Sequence, residues 1–190
     1  IRTLLKNWRP ISLLTVDYKL IAKCLSKRLE KVLPKIISNS QFAYVKDRYI
    51  GENIRIVIDI DSYLKNKNLS GVIMQIDFEK AFDSVSWKFL DATLDRFGFG
   101  DTFKKWIKIM YTDISSAVLF NGHLTSFFKL HRGVRQGCPL SAILFIMIAE
   151  TLSHILNNRS DIKGITIETT DLKILQFADD TSIFIENKEQ

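Results

Sequence analysis

The chain has 190 residues, 46% hydrophobic and 25% charged, ordinary globular composition and enough to bury a core in one large domain or two small subdomains. Its two cysteines, Cys24 and Cys138, exclude a disulfide framework and a CxxC metal site, and they suit a reducing intracellular compartment. The net charge of +6 is uneven: residues 1–35 hold nine basic and two acidic side chains, which points either to a polyanionic partner or to a solvated helix face.

The start, "IRTLLKNWRP", lacks the apolar core and small-residue cleavage site of a signal peptide. It begins without Met and in mid-pattern, as a piece of a longer protein would. Residues 17–33, "DYKLIAKCLSKRLEKVL", predict an amphipathic helix ended by Pro34. Leu20, Ile21, Cys24, Leu25, Leu29, Val32 and Leu33 would form its apolar face; Lys19, Lys23, Lys27, Arg28 and Lys31 fall mostly opposite.

A composition shift at 65–71 marks a boundary between residues 1–70, mostly helix and extended loop, and residues 71–190. "VIMQIDF" (72–78) then reads as a buried strand, apolar except for Gln75 and Asp77. "SVSWKFLDATLDRF" predicts a helix capped by Ser84 or Ser86, and residues 102–111 a second one lined by Phe103, Trp106, Ile107 and Met110. Asn121-Gly122 between two β-prone runs is a hairpin signal, because both turn positions need positive φ. "HRGVRQGCPLS" is a Gly/Pro loop, and "SAILFIMIAETLSHIL" (141–156) a helix apolar nearly all round, too short in its apolar run to span a bilayer. Finally "ILQFADDTSIFI" (174–185) is a hairpin with two aspartates at its turn. Hairpins mixed with helices, without strict βαβ alternation, predict an α+β fold with an antiparallel sheet.

Asp77, Asp179 and Asp180 pose the chemical question. Aspartates are common turn residues, which would explain the pair. If one sheet instead brings all three together, the repulsion calls for a cation, and oxygen-only ligands select Mg²⁺ or Mn²⁺. Two such ions are the device of nucleotidyl transfer. Spacing does not choose between these readings. His123, His131 and His154 have no ligand partner at useful spacing, and Trp8, Trp87 and Trp106 read as core.

The words around the acids do choose. "QIDFEKAFDSV" (75–85), "RGVRQGCPLS" (132–141) and "FADD" (177–180) resemble, in that order, the reverse transcriptases of non-LTR retrotransposons. "NWRPISLL" (7–14), "YKLIAKCLSKRL" (18–29) and "QFAYVKDRYIGENI" (41–54) resemble finger-region blocks of the same family, so the likeness spans residues 7–186.

The resemblance implies a right-hand polymerase, with residues 1–70 as fingers and 71–190 as an antiparallel palm with packed helices, the thumb being absent. It implies that Asp77, Asp179 and Asp180 are catalytic and, with the carbonyl of Phe78, hold two Mg²⁺ (or Mn²⁺). Phe82 would lie beneath the incoming sugar, where a ring leaves no room for a 2′-hydroxyl, though without the family it reads as core. Gln136 and Gly137 would pack on the nascent base pair, and Arg9 would contact the triphosphate, with a surface salt bridge as the rival reading. Lys6, Arg48 and Arg135 would touch phosphate or template, and Lys23, Lys27 and Lys31 would attract nucleic-acid backbone. The implied partners are template RNA, a DNA primer, dNTPs, and the companion endonuclease and thumb of a longer protein, in nucleus and cytoplasm and without a membrane. A decayed remnant that binds nucleic acid without catalysis is the alternative, and a carboxylate-dependent nuclease a third. The sequence departs from the family pattern at Phe177 (usually Tyr), Ala43 and Asp47 (usually Gly) and Ala142 (usually Pro).

Overall fold

The computed structural model describes residue 4 and residues 7–186. Thr15 caps the first helix, α1 (Val16–Glu30), by accepting the Tyr18 N–H at 3.4 Å. Pro34 opens a further short helix, α2 (Leu33–Ile36), because a missing N–H costs nothing in a first turn. Helix α3 (Ile50–Lys67) ends at Asn68, which turns left-handed at φ 51°. Strand β1 (Gly71–Ile76) is followed by α4 (Ala81–Ser84), by α5 (Trp87–Arg96), capped by Ser86, and by α6 (Asp101–Tyr111). Four two-residue strands follow: β2 (Ser115–Ser116), β3 (Leu119–Phe120), β4 (His123–Leu124) and β5 (Phe128–Lys129). Helix α7 (Ser141–Asn158) leads into β6 (Ile165–Ile167), β7 (Thr170–Leu172), β8 (Ile174–Phe177) and β9 (Asp180–Glu186).

The fold is α+β, as expected. Its principal sheet is antiparallel in the order β1-β9-β8. The register runs from Gly71 opposite Glu186 to Ile76 opposite Thr181, and Phe177 faces Asp180 across the final hairpin. Asn121 (φ 47°) and Gly122 (φ 78°) form the expected tight turn between β3 and β4.

Two apolar cores flank this sheet. The larger one joins Ala22, Leu25 and Leu29 of α1 to Leu90 and Leu94 of α5, Ile107 of α6 and the run Ile143–Met147 of α7. The smaller one packs Ile60 of α3 and Phe42 on Ile165, Leu175 and Phe184. Both therefore combine side chains from before and after residue 70. Helix α7 has the length and composition to cross a membrane, yet Leu144, Ile146 and Met147 are fully buried in the larger core.

Three expectations need correction. The inward face of α1 is Ala22, Leu25, Ser26 and Leu29, while Leu20, Ile21 and Cys24 are exposed; small Ala22 and Ser26 stand where the helix meets its neighbours, and hydropathy does not mark that role. Strand β1 is half-buried: it is an edge strand, and Val72 and Met74 point away from the face that packs Ile73 on the α3 core. Of the tryptophans, only Trp87 packs into the core, its ring 5.9 Å from that of Tyr111, whereas Trp8 and Trp106 are exposed.

Candidate active site

The antiparallel register sets the acids. Ile76 is the last residue of β1 and faces Thr181, so Asp77 and Asp180 stand one step further along adjacent strands, on the same face as Gln75 and Ser182. Both line one open pocket of about 390 Å³, with Asn53, Ile54 and Val57 of α3 on its other wall. Asp179 occupies the hairpin turn and is half-buried. Asp77 and Asp180 are exposed, and none of the three carboxylates has an ion-pair partner among the described residues. Uncompensated oxygen donors of this kind fit a hard divalent cation. Among the described residues, however, no three Asp, Glu, His or Cys side chains close into a ligand set. The register brings Asp77 to Asp180; Asp179 is kept in the turn between the strands.

The hairpin turn is strained. Ala178 has φ 56°, a left-handed conformation that costs an alanine about 1–2 kcal/mol. Two side-chain bonds oppose that cost: Oε1 of Gln41 accepts the Ala178 N–H at 3.0 Å, and its Nε2 donates to the Ala178 carbonyl at 3.5 Å.

The second part of the site is the Gly/Pro loop, stitched to the segment after Asp77. Gly133 N–H donates to Val85 O at 2.8 Å, Val134 N–H to Phe82 O at 2.7 Å, and the Trp87 indole to Gly133 O at 2.9 Å. Gln136 Nε2 donates to Asp83 at 3.3 Å, and its carbonyl accepts Ser12 N–H at 2.8 Å. Gly137 has φ 99°, and a Cβ there would lie 3.1 Å from Ser12 O, so a glycine is required by backbone and space together. The 133–137 loop is thus tied both to the 82–85 segment and to Ser12. The Phe82 ring is half-buried and stacked on Phe145 at 4.8 Å.

The basic residues divide. Arg9 is exposed with no ion-pair partner among the described residues. Lys23 and Lys27 share Glu30 at 3.7 and 2.9 Å, and Lys31 is exposed beside them. Lys6 lies outside the described residues. Two of the arginines have partners within the chain. The Arg48 guanidinium is turned onto its own loop, donating to Ser38 O at 2.5 Å, Gln41 O at 2.6 Å and Ile37 O at 3.2 Å. Arg135 lies over the rings of Tyr18 at 4.6 Å and Tyr111 at 5.8 Å, where its charge meets their π faces. Burial pushes the Tyr18 phenol up to about 12 against the lowering effect of Arg135, so it stays neutral beneath that guanidinium.

Gln41, Asp83 and Asn53 belong to this site; each lies in a family-like block, but no local pattern gives any of them a role. Gln41 opens a quoted block, and nothing in its neighbours marks it as fully buried.

The family described as "Reverse transcriptase (RNA-dependent DNA polymerase)" matches residues 2–190. The chain is 37% identical over 179 residues to the "Transposon TX1 uncharacterized 149 kDa protein" of Xenopus laevis, covering 93% of this chain and 14% of that protein. It is 27% identical over 185 residues to the Pol polyprotein from type-1 retrotransposable element R2 of Popillia japonica, covering 95% of this chain and 25% of that one. It therefore spans a quarter or less of the length of these relatives. Among solved structures, apo telomerase from Candida tropicalis truncated from its C-terminal domain superposes with a TM-score of 0.57 at 16% identity, over 90% of this chain and 35% of that one. The same telomerase with a fragment of telomeric RNA gives 0.56, over 89% of this chain and 29% of that one. At such low identity the likeness is one of fold.

Proposed function

The chain belongs to the reverse transcriptase family, with non-LTR retrotransposon proteins among its relatives, and from that premise we propose that it supplies the fingers (residues 1–70) and palm (residues 71–190) of an RNA-directed DNA polymerase. One observation carries the reading: Asp77 and Asp180 stand side by side at the ends of antiparallel strands and line one pocket, and Asp180 closes the hairpin turn that contains Asp179.

In this reading the primer 3′-hydroxyl attacks the α-phosphorus of a dNTP; a P–O bond forms to the primer and pyrophosphate leaves. Reverse transcriptases generally use divalent metal, and here Asp77, Asp179, Asp180 and the Phe78 carbonyl would hold Mg²⁺ or Mn²⁺, which supplies charge neutralisation and an activated oxygen when bound. Phe82 limits the space below the sugar. The positive-φ backbone of Gly137, without a Cβ, lets the loop approach the new base pair, and Gln136, tied to Asp83 and Ser12, fixes that loop. Template RNA follows the basic face of α1 through Lys23, Lys27 and Lys31, and Arg9 meets the triphosphate. Arg48 and Arg135 act from inside, on the loops they pin.

The test is primer extension on an RNA template by this chain carrying its flanking reading frame, thumb included, beside its Asp179→Asn variant. Mg²⁺-dependent extension by the wild type and its loss in the variant are expected. Template binding by both with extension by neither would favour a remnant that only binds nucleic acid. Cutting of nucleic acid without dNTPs would favour a nuclease. The 190 residues alone are expected to extend oligo(dT) on poly(rA) poorly or not at all.

A further inference from the structure

We propose that Gln41 is a positioning residue for the aspartate turn; the inference rests on the reading of Asp179 and Asp180 as metal-binding catalytic groups. Gln41 is fully buried, and its amide is spent on two stretches of backbone. Oε1 accepts the N–H of Ala43 at 2.9 Å and of Ala178 at 3.0 Å, while Nε2 faces the Ala178 carbonyl at 3.5 Å. Both polar backbone groups of the one left-handed residue in the turn are therefore held by a single side chain 137 positions away. Asp179 follows Ala178 directly, so the φ and ψ of Ala178 set the course of the backbone that carries its carboxylate.

The device is anchored at both ends. Residues 40–42 run parallel to β8, with Gln176 N–H donating to Ser40 O at 2.7 Å and Phe42 N–H to Gln176 O at 2.9 Å. Arg48 clamps the same loop from its other side through Gln41 O and Ser38 O. Beneath it a buried polar chain runs from Ser40 to Ser153 at 3.2 Å, on to Gln176 at 2.7 Å and to Thr181 at 3.4 Å, one residue beyond Asp180. The finger loop is thereby connected to both flanks of the paired aspartates. A loop that only needed satisfied backbone could use water or its own side chains; here the bonds go to the turn that carries the acids.

The experiment uses Gln41→Met, which keeps the volume and removes the amide, in the chain carrying its flanking reading frame. Circular dichroism and the unfolding midpoint check folding, Mn²⁺ titration followed by electron paramagnetic resonance reads the metal site without turnover, and steady-state extension separates kcat from KM. A folded variant is expected to bind Mn²⁺ at least tenfold more weakly and to lose at least tenfold in kcat, with the dNTP KM within threefold. A folded variant that keeps Mn²⁺ affinity and kcat within threefold overturns the proposal, as does one that changes KM alone. Should the variant fail to fold, amide hydrogen exchange on the wild type decides: protection of Ala178 equal to that of β8 supports the clamp, and exchange at the rate of an open turn overturns it. Full Mn²⁺ binding and extension by Asp179→Asn would instead sink the catalytic assignment beneath it, whatever Gln41→Met does.

Discussion

Asp47 stands where a glycine is usual in the family this chain resembles, and its φ of 64° gives the reason for that preference. The backbone is left-handed there, which suits glycine best and which aspartate tolerates better than most residues. Asp47→Gly is therefore expected to raise stability by up to about 1 kcal/mol, the relief of strain exceeding the added chain entropy. Urea unfolding of the two proteins checks it, and an unchanged midpoint would show that the side chain compensates. Gly137 is the opposite case. An alanine there meets both a forbidden φ and the Ser12 carbonyl, so Gly137→Ala is expected to displace the 132–138 loop, to cost about 1–2 kcal/mol and to lower kcat/KM for extension. Glu150 offers a pH test. It is buried below the 38–40 loop and accepts from Ser38 Oγ at 3.0 Å. Burial raises its pKa, outweighing the lowering by the Ser38 bonds and by the Arg48 charge. The folded protein thus keeps this proton to higher pH than the unfolded chain. Its contribution is complete below the ordinary carboxyl value and is lost as pH climbs from there through the raised one. Glu150→Gln is expected to flatten that decline from the ordinary carboxyl value upward. Parallel melting curves across that range would show that another group sets the slope.

At the level of elements, what could be read was what local chemistry determines. The Asn121-Gly122 turn, the Ser86 cap and helix, and the aspartate hairpin each rest on neighbouring residues and formed as expected. The acids could be located too, because words around them carried a family likeness. What could not be read depends on partners distant in the chain. The inward face of α1 is set by where other helices approach, so Ala22 and Ser26 won over Leu20 and Ile21. The exposed half of β1 follows from its place at a sheet edge, and the β6–β7 hairpin has runs too short to show a period. The carbonyls and rings that Arg48 and Arg135 meet could not be read either, because a guanidinium bound to them has no local signature. The β3–β4 hairpin shows how local such an element stays. Leu119, Phe120 and Leu124 are all exposed, so little holds it beyond the turn and a few backbone bonds. Gly122→Ala, at φ 78°, should speed amide exchange through residues 118–125 while leaving the global midpoint within about 1 °C, since neither core includes this hairpin.

Across the whole molecule, both cores draw side chains from the two sides of residue 70. Phe42 and Ile60 complete the layer that buries Phe184, and Ala22, Leu25 and Leu29 pack in the same cluster as Leu144 and Ile146. The polar chain from Ser40 through Ser153 and Gln176 to Thr181 crosses the same line, and its members are costly to bury unpaired. The residues on the two sides of position 70 therefore share one folding unit. The expected consequence is a single cooperative unfolding transition, with the same midpoint by tryptophan fluorescence and by far-ultraviolet circular dichroism. Residues 71–190 made alone should lack near-ultraviolet circular dichroism and bind an apolar dye, as compact chains do when specific packing is lost. Adding residues 1–70 in trans should restore the signal, because the missing faces of both cores arrive together. A cooperatively folded 71–190 fragment would refute the shared core and would leave Gln41 as a late addition to a turn that forms without it.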